Sequence, residues 1–380
     1  MRILKTILNL VVGLLIGLAA GFLIAFLIIV LFTDMDAATF LSKMTKITTS
    51  EGIAAGGVGI LSAVVAVIIL IPLHESGHLL FGLLSGYRFV SFRIFNLTFI
   101  RINGKLRMKH FAVAGTGGQC LLTPPDLPLQ QIPVVMYNLG GILLNVAALL
   151  LVLPLLWCHL HPFMHEFVVI FMLVDVFIIL MNGIPMRIGG ISNDAHNALA
   201  LRHDEKSNLG IVRMLRSNAL IQEGVRPKDM PDEWFESIGD INYKNGLQVS
   251  VPLMEASRLI DEMRWDEAYD KFKELYSHKD EIMQLYVKEI ACELIFTSLV
   301  TDRIEEARML FDKGMKTYIE AYRKVSSAKE RILCTVALIM DNDSDKAFAI
   351  YENVARRKNQ YLLKGEVKSD LAVMEKLLNL

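Results

Sequence analysis

Apolar residues form long unbroken runs in the first half of the chain and recur at helical spacing in the second. Four runs stand out, at 6–32, 52–84, 132–160 and 167–184. A helix of about 17–25 apolar residues crosses ~30 Å of hydrocarbon, so about four membrane-spanning helices are predicted. The first run exceeds the ~7–15-residue core of a secretory leader and lacks a small-residue cleavage site, so a retained helix is expected there. Gly13, Gly17 and Gly21 recur every four residues along it and give one face a smooth surface for close packing. Pro72 lies inside the second run and is expected to kink it. Between the second and third runs, residues 88–118 alternate apolar and polar, as in Val90-Ser91-Phe92-Arg93-Ile94, and Asn103-Gly104 reads as a hairpin turn. Short strands near the membrane surface are predicted there. Thr123-Pro124-Pro125-Asp126-Leu127-Pro128 then breaks regular structure.

From residue 204 the pattern becomes that of a soluble helical domain. Asp266-Glu267-Ala268-Tyr269 with Phe272 is echoed by Glu305-Glu306-Ala307-Arg308 with Phe311, and again by Asp345-Lys346-Ala347-Phe348 with Tyr351. Ala268, Ala307 and Ala347 are spaced 39 and 40 residues apart, a period suited to stacked helical hairpins that resemble tetratricopeptide repeats at their small and aromatic positions. The predicted fold is mainly α. It has a polytopic membrane helical core with a short β segment, followed by a C-terminal soluble α-helical repeat domain. The expected division is an N-terminal membrane helix and outer loop at 1–50, the membrane core at 51–203 and the repeat domain at 204–380.

Charge adds an orientation. The net charge is −1 and no basic block stands out, so no nucleic-acid partner is expected. Arg2 and Lys5 precede the first run; Arg88, Arg93, Arg101, Lys105, Arg107 and Lys109 lie between the second and third; Arg187, Arg202 and Lys206 follow the fourth. The positive-inside rule then puts the N-terminus, the 88–131 loop and the C-terminal domain on the cytoplasmic side of a multi-pass cell-membrane protein. Cys120, Cys158, Cys292 and Cys334 are scattered, form no CxxC pair and read as free thiols.

The chemistry sits in the second run, which carries His74-Glu75-Ser76-Gly77-His78 near its end. Residues four apart share a helix face, so both histidines can hold one Zn²⁺ with Glu75 beside it as general acid and base. Chance HExxH is expected in about one chain in a hundred of this length, and ionisable side chains inside a spanning segment are functional by default. A hydrolytic zinc site needs a third protein ligand and an open position. Asp194 is the first candidate, with Asp175, inside the fourth run, and His196 as alternatives. Asp194 also precedes Ala195-His196-Asn197-Ala198-Leu199, where it would serve as a helix N-cap. Gly115-Thr116-Gly117-Gly118-Gln119 would admit close backbone approach of an extended substrate, or serve as an ordinary loop. His159, His161 and His165 read as a solvated outer loop.

In order along the chain, these blocks resemble the site-2 protease family of intramembrane zinc metalloproteases. The HExxH helix is His74 to His78. The family's Gly-Pro-x-x-Asn resembles Gly141-Ile142-Leu143-Leu144-Asn145, with Ile142 in place of proline. Its Asn-x-x-Pro ahead of an aspartate resembles Asn182-Gly183-Ile184-Pro185 ahead of Asp194, with a longer spacer and Ala195 in place of glycine. The resemblance covers roughly 62–199. It implies His74, His78 and Asp194 as zinc ligands, Glu75 as the catalytic residue, and Asn182 and Asn145 as active-site support. The segment at 88–131 is too short for the PDZ domain of some members. The expected function is endopeptidase cleavage in or near transmembrane segments of membrane proteins or precursor peptides. The expected partners are the lipid bilayer, such a substrate, and a protein regulator on the helical domain. The other reading is a non-catalytic membrane scaffold that binds partners through its repeats.

Overall fold

The computed structural model describes residues 50–102, 105–110, 117–188 and 191–380. The first apolar run with its glycines, the outer loop that follows it up to 49, the Asn103-Gly104 turn and Gly115-Thr116 lie outside the described residues.

The described chain is mainly helical, with a four-stranded antiparallel sheet and a two-stranded one. Its helices include three long and apolar enough to cross a membrane: Gly56–Leu84, Leu129–Trp157 and Pro162–Gly183. They correspond to the second, third and fourth apolar runs. The corresponding α-helices are α1 (Ser50–Leu84), α2 (Val134–Val152) and α3 (Pro162–Gly183). Their apolar side chains are turned outward: Ile60, Leu84 and Leu151 are 71%, 74% and 79% exposed. Such a surface marks a protein or membrane contact rather than water. Helix α1 runs unbroken through Pro72. Helix α3 begins earlier than its apolar run because Pro162 suits a first helical position, so His165 is helical rather than in a loop.

The sheet comprises β1 (Arg88–Ile94), β2 (Leu97–Ile102), β3 (Lys105–His110) and β4 (Gly118–Thr123), in the order β3-β2-β1-β4. A tight turn at Phe95-Asn96 joins β1 to β2, with Phe95 at φ 52°. That left-handed conformation is unusual for a bulky residue. A two-stranded hairpin, β5 (Arg187–Ile188) with β6 (Ile191–Ser192), follows α3 and leads into α4 (Asp194–His203).

The helical domain then runs through α5 (Glu205–Glu223), α6 (Gly246–Asp261), α7 (Trp265–Ser277), α8 (Gln284–Val300), α9 (Ile304–Leu310), α10 (Lys313–Tyr322), α11 (Ser327–Thr335), α12 (Ser344–Arg357) and α13 (Lys364–Leu378). Ala268, Ala307 and Ala347 are each fully buried, on α7, α9 and α12, and each of those helices packs on a preceding partner, α6, α8 or α11. The three turns share a construction. Met263, Asp302 and Asn342 have φ of 63°, 63° and 51°, each five residues before its alanine. Past the first two, Arg264 and Arg303 donate back to the Leu259 and Ser298 carbonyls, which satisfies the helix end in Schellman fashion. The cores gather Phe272, Phe296 and Ile290 in one cluster and Val354, Val367 and Met374 in another.

By contacts the chain divides into two compact units, one of 1–70 and 145–179 and the other of 71–144 and 180–380. In the first, Asn145 Nδ2 donates to Asp175 Oδ1 at 2.6 Å, with both residues fully buried. The second holds the HExxH half of α1, the sheet and the helical domain.

Candidate metal centre

Within the second unit, α1 and α2 meet through glycine. A Cβ on Gly77 would lie 2.3 Å from the Gly140 carbonyl oxygen, and one on Gly140 2.5 Å from that of Gly77. Only small residues allow backbones this close. The contact sets the HExxH face of α1 against the start of α2, and the histidines are thereby 8% exposed each.

Asp194 reaches the same point from α4. Asn193, rather than Asp194, caps that helix: its Oδ1 accepts from the His196 and Met186 amides, while its Nδ2 donates to the Met181 and Ile184 carbonyls at 2.7 and 2.6 Å. One side chain thus ties the end of α3 to the start of α4. The β5–β6 hairpin accommodates the long spacer before it, closed by the Asn193 amide on the Met186 carbonyl. With the cap role taken, the Asp194 carboxylate faces the histidines.

His74, His78 and Asp194 form a group that could hold a metal ion. His74 Nε2 lies 3.0 Å from Asp194 Oδ2, His78 Nε2 lies 3.3 Å from the same oxygen, and the two Nε2 atoms are 3.3 Å apart. Two ligands at about 2.0–2.1 Å from a tetrahedral zinc would be about 3.3 Å apart, so the triangle matches one face of such a site. The proton inventory agrees. His78 Nδ1 sits 2.8 Å from the Tyr137 carbonyl, which can only accept. His78 therefore carries a proton on Nδ1, and in the neutral form of the ring the lone pair lies at Nε2. That lone pair faces a carboxylate. Burial works to raise the Asp194 carboxyl, but the two adjoining imidazole rings hold it down at about 2, so it is anionic at neutral pH. Ligand atoms that converge in this way could hold a cation between them.

Glycines clear the space around the group. A Cβ on Gly141 would lie 2.6 Å from His74 Nε2 and 2.7 Å from His78 Nε2, and one on Gly118 would lie 2.6 Å from Glu75 Oε1. Half-buried Glu75 thus stands between the histidines of its own helix and the first residue of edge strand β4. Arg93, 2% exposed, fixes that strand by donating to the Gly118 carbonyl and the Phe95 carbonyl, each at 3.1 Å. In the sequence Arg93 registers only as a topology charge, and the alternation along β1 would turn it outward with Ser91. Gly141→Ala is expected to push the histidines apart and lower metal content, with little loss of helix α2. Metal analysis beside circular dichroism checks this, and full metal content would count against it.

The structure brings His74, Glu75, His78 and Asp194 together. Asp175 is bonded to Asn145 instead, and His196 lies outside the group. Asn182 lies in the last turn of α3, just before the carbonyl of Ile184 that Asn193 holds. No family model, curated protein or solved structure matches this chain.

Proposed function

We propose that this chain is an intramembrane zinc metalloendopeptidase of site-2 protease type, cleaving peptide bonds in or near transmembrane segments of membrane proteins or precursor peptides. The observation that carries the reading is the convergence of His74 Nε2, His78 Nε2 and Asp194 Oδ2, with Glu75 alongside, at the end of an apolar helix long enough to span a bilayer. His74, His78 and Asp194 would hold the ion. Zinc bound there supplies Lewis-acid activation of water and of the scissile carbonyl near neutral pH. Glu75 takes up the water's proton at its carboxylate and returns it to the leaving amine. Tyr137, through its carbonyl, holds the His78 ring in the ligating tautomer. Arg93 keeps Gly118 against Glu75, so an extended substrate lying along the open edge of β4 would pass beside the acid–base group.

The loop charges favour a cytoplasmic position for this end of α1 and for the helical domain. The three left-handed turns and buried alanines support a repeat architecture of tetratricopeptide type, which would present a surface for a substrate or regulator. The test compares membrane proteomes of cells carrying the wild type or Glu75→Gln. At least one membrane-anchored protein or precursor is expected to persist uncut only in the variant; identical proteomes would contradict the reading.

A further inference from the structure

The helical domain closes on itself. Helix α13 packs on α5 and α6, and Gly365 brings it so near that a Cβ there would fall 1.9 Å from the Val225 carbonyl oxygen. Among α5, α6, α8, α11 and α13 lies a cavity of about 280 Å³. Met214, Phe235, Leu253, Met254 and Leu363 give it apolar walls, and its charged lining residues are Glu293, Arg331, Glu366 and Asp370.

Arg331 is 2% exposed. Its Nε donates to Asp370 Oδ1 at 2.7 Å and its Nη2 to Glu293 Oε2 at 2.6 Å. Its Nη1 is buried with no hydrogen-bond partner, as is Ser217 Oγ of another helix lining the cavity. Buried donors are seldom left without an acceptor. Charge is also unbalanced. Three carboxylates line the cavity against one guanidinium, and the neighbouring Lys329 is held by Glu289 at 2.6 Å. Burial, followed by the nearby Asp370 and Glu293, pushes the Glu366 carboxyl upward.

We propose that this cavity binds the free amino terminus of an apolar peptide, with the ammonium against Glu366 and its neighbouring carboxylates, the first carbonyl accepting from Arg331 Nη1, and the leading side chains on the apolar walls. An anion would meet the excess of carboxylates. A simple amine would leave Arg331 Nη1 unused. The volume lies just below the usual range of about 300–1,000 Å³ for ligand pockets, which suits one or two residues rather than a longer segment. The inference concerns a site apart from the metal centre and does not depend on its chemistry.

The experiment is calorimetric titration of the full-length protein in detergent with Leu-Leu-amide, its N-acetyl form and isoamylamine. Leu-Leu-amide is expected to bind, and acetylation or removal of the amide unit to weaken binding by about tenfold or more, the loss of one charge-assisted contact. Glu366→Gln, which keeps the shape and removes the charge, is expected to weaken Leu-Leu-amide to a similar degree. Equal binding of the acetylated peptide or of isoamylamine would overturn the proposal, as would no binding of Leu-Leu-amide at millimolar concentration. If Glu366→Gln does not fold, the ligand comparison on the wild type decides alone.

Discussion

Glu75→Gln is expected to keep its metal and to lose cleavage by about 10²–10⁴-fold, the range for removal of a general acid or base. The substitution conserves shape, so the contact with Gly118 and the neighbouring ligands should stay in place. What disappears is a carboxylate that can take up a proton, since a glutamine amide cannot. Cleavage of a membrane-anchored reporter in proteoliposomes, measured beside metal content, checks both halves. Activity within a few-fold of wild type would remove Glu75 from the mechanism. Loss of metal together with activity would make it a structural support of the site.

The second large effect concerns the third ligand. Asp194→Ala is expected to lower zinc affinity by more than the ~10–100-fold typical when a partner behind the ligands is changed, because an anionic ligand itself is removed. Asp175→Ala is the informative contrast. Asp175 accepts from Asn145 in a fully buried pair, so its removal should leave the metal in place and destabilise the fold by about 1–3 kcal/mol, the cost of a buried donor left unpaired. Competition with a chromogenic chelator gives the affinities, and thermal unfolding gives the stabilities. Zinc retained in Asp194→Ala but lost in Asp175→Ala would reverse the assignment.

The apolar runs were legible because a bilayer demands length and composition, both of which are local properties. The HExxH motif was legible because two candidate ligands and the proposed acid–base group fall on one turn of one helix. The third member of the group was not local. Asp194, Asp175 and His196 all lie within reach in sequence, and what separates them is the Asn193 side chain joining α3 to α4, with the β5–β6 hairpin taking up the extra spacer residues. Sequence placed the helix cap one residue late for a related reason: Asp and Asn cap equally well, and only the competing histidines decide which of two adjacent residues turns inward. Gly118 and Gly141 look like ordinary loop and helix glycines until the side chains they make room for are in view. Arg93 reads as surface charge because burial of a guanidinium depends on carbonyls supplied by a strand some 25 residues away. Pairing in the cavity of the helical domain is invisible for the same reason, since Glu293, Arg331 and Asp370 come from three separate helices.

The metal separates an enzyme from a scaffold most directly. Elemental analysis of the purified full-length protein in detergent, beside a His74→Ala/His78→Ala double variant, is expected to find one zinc per wild-type chain and none in the variant. A metal-free wild type, or equal zinc in both proteins, would contradict the account.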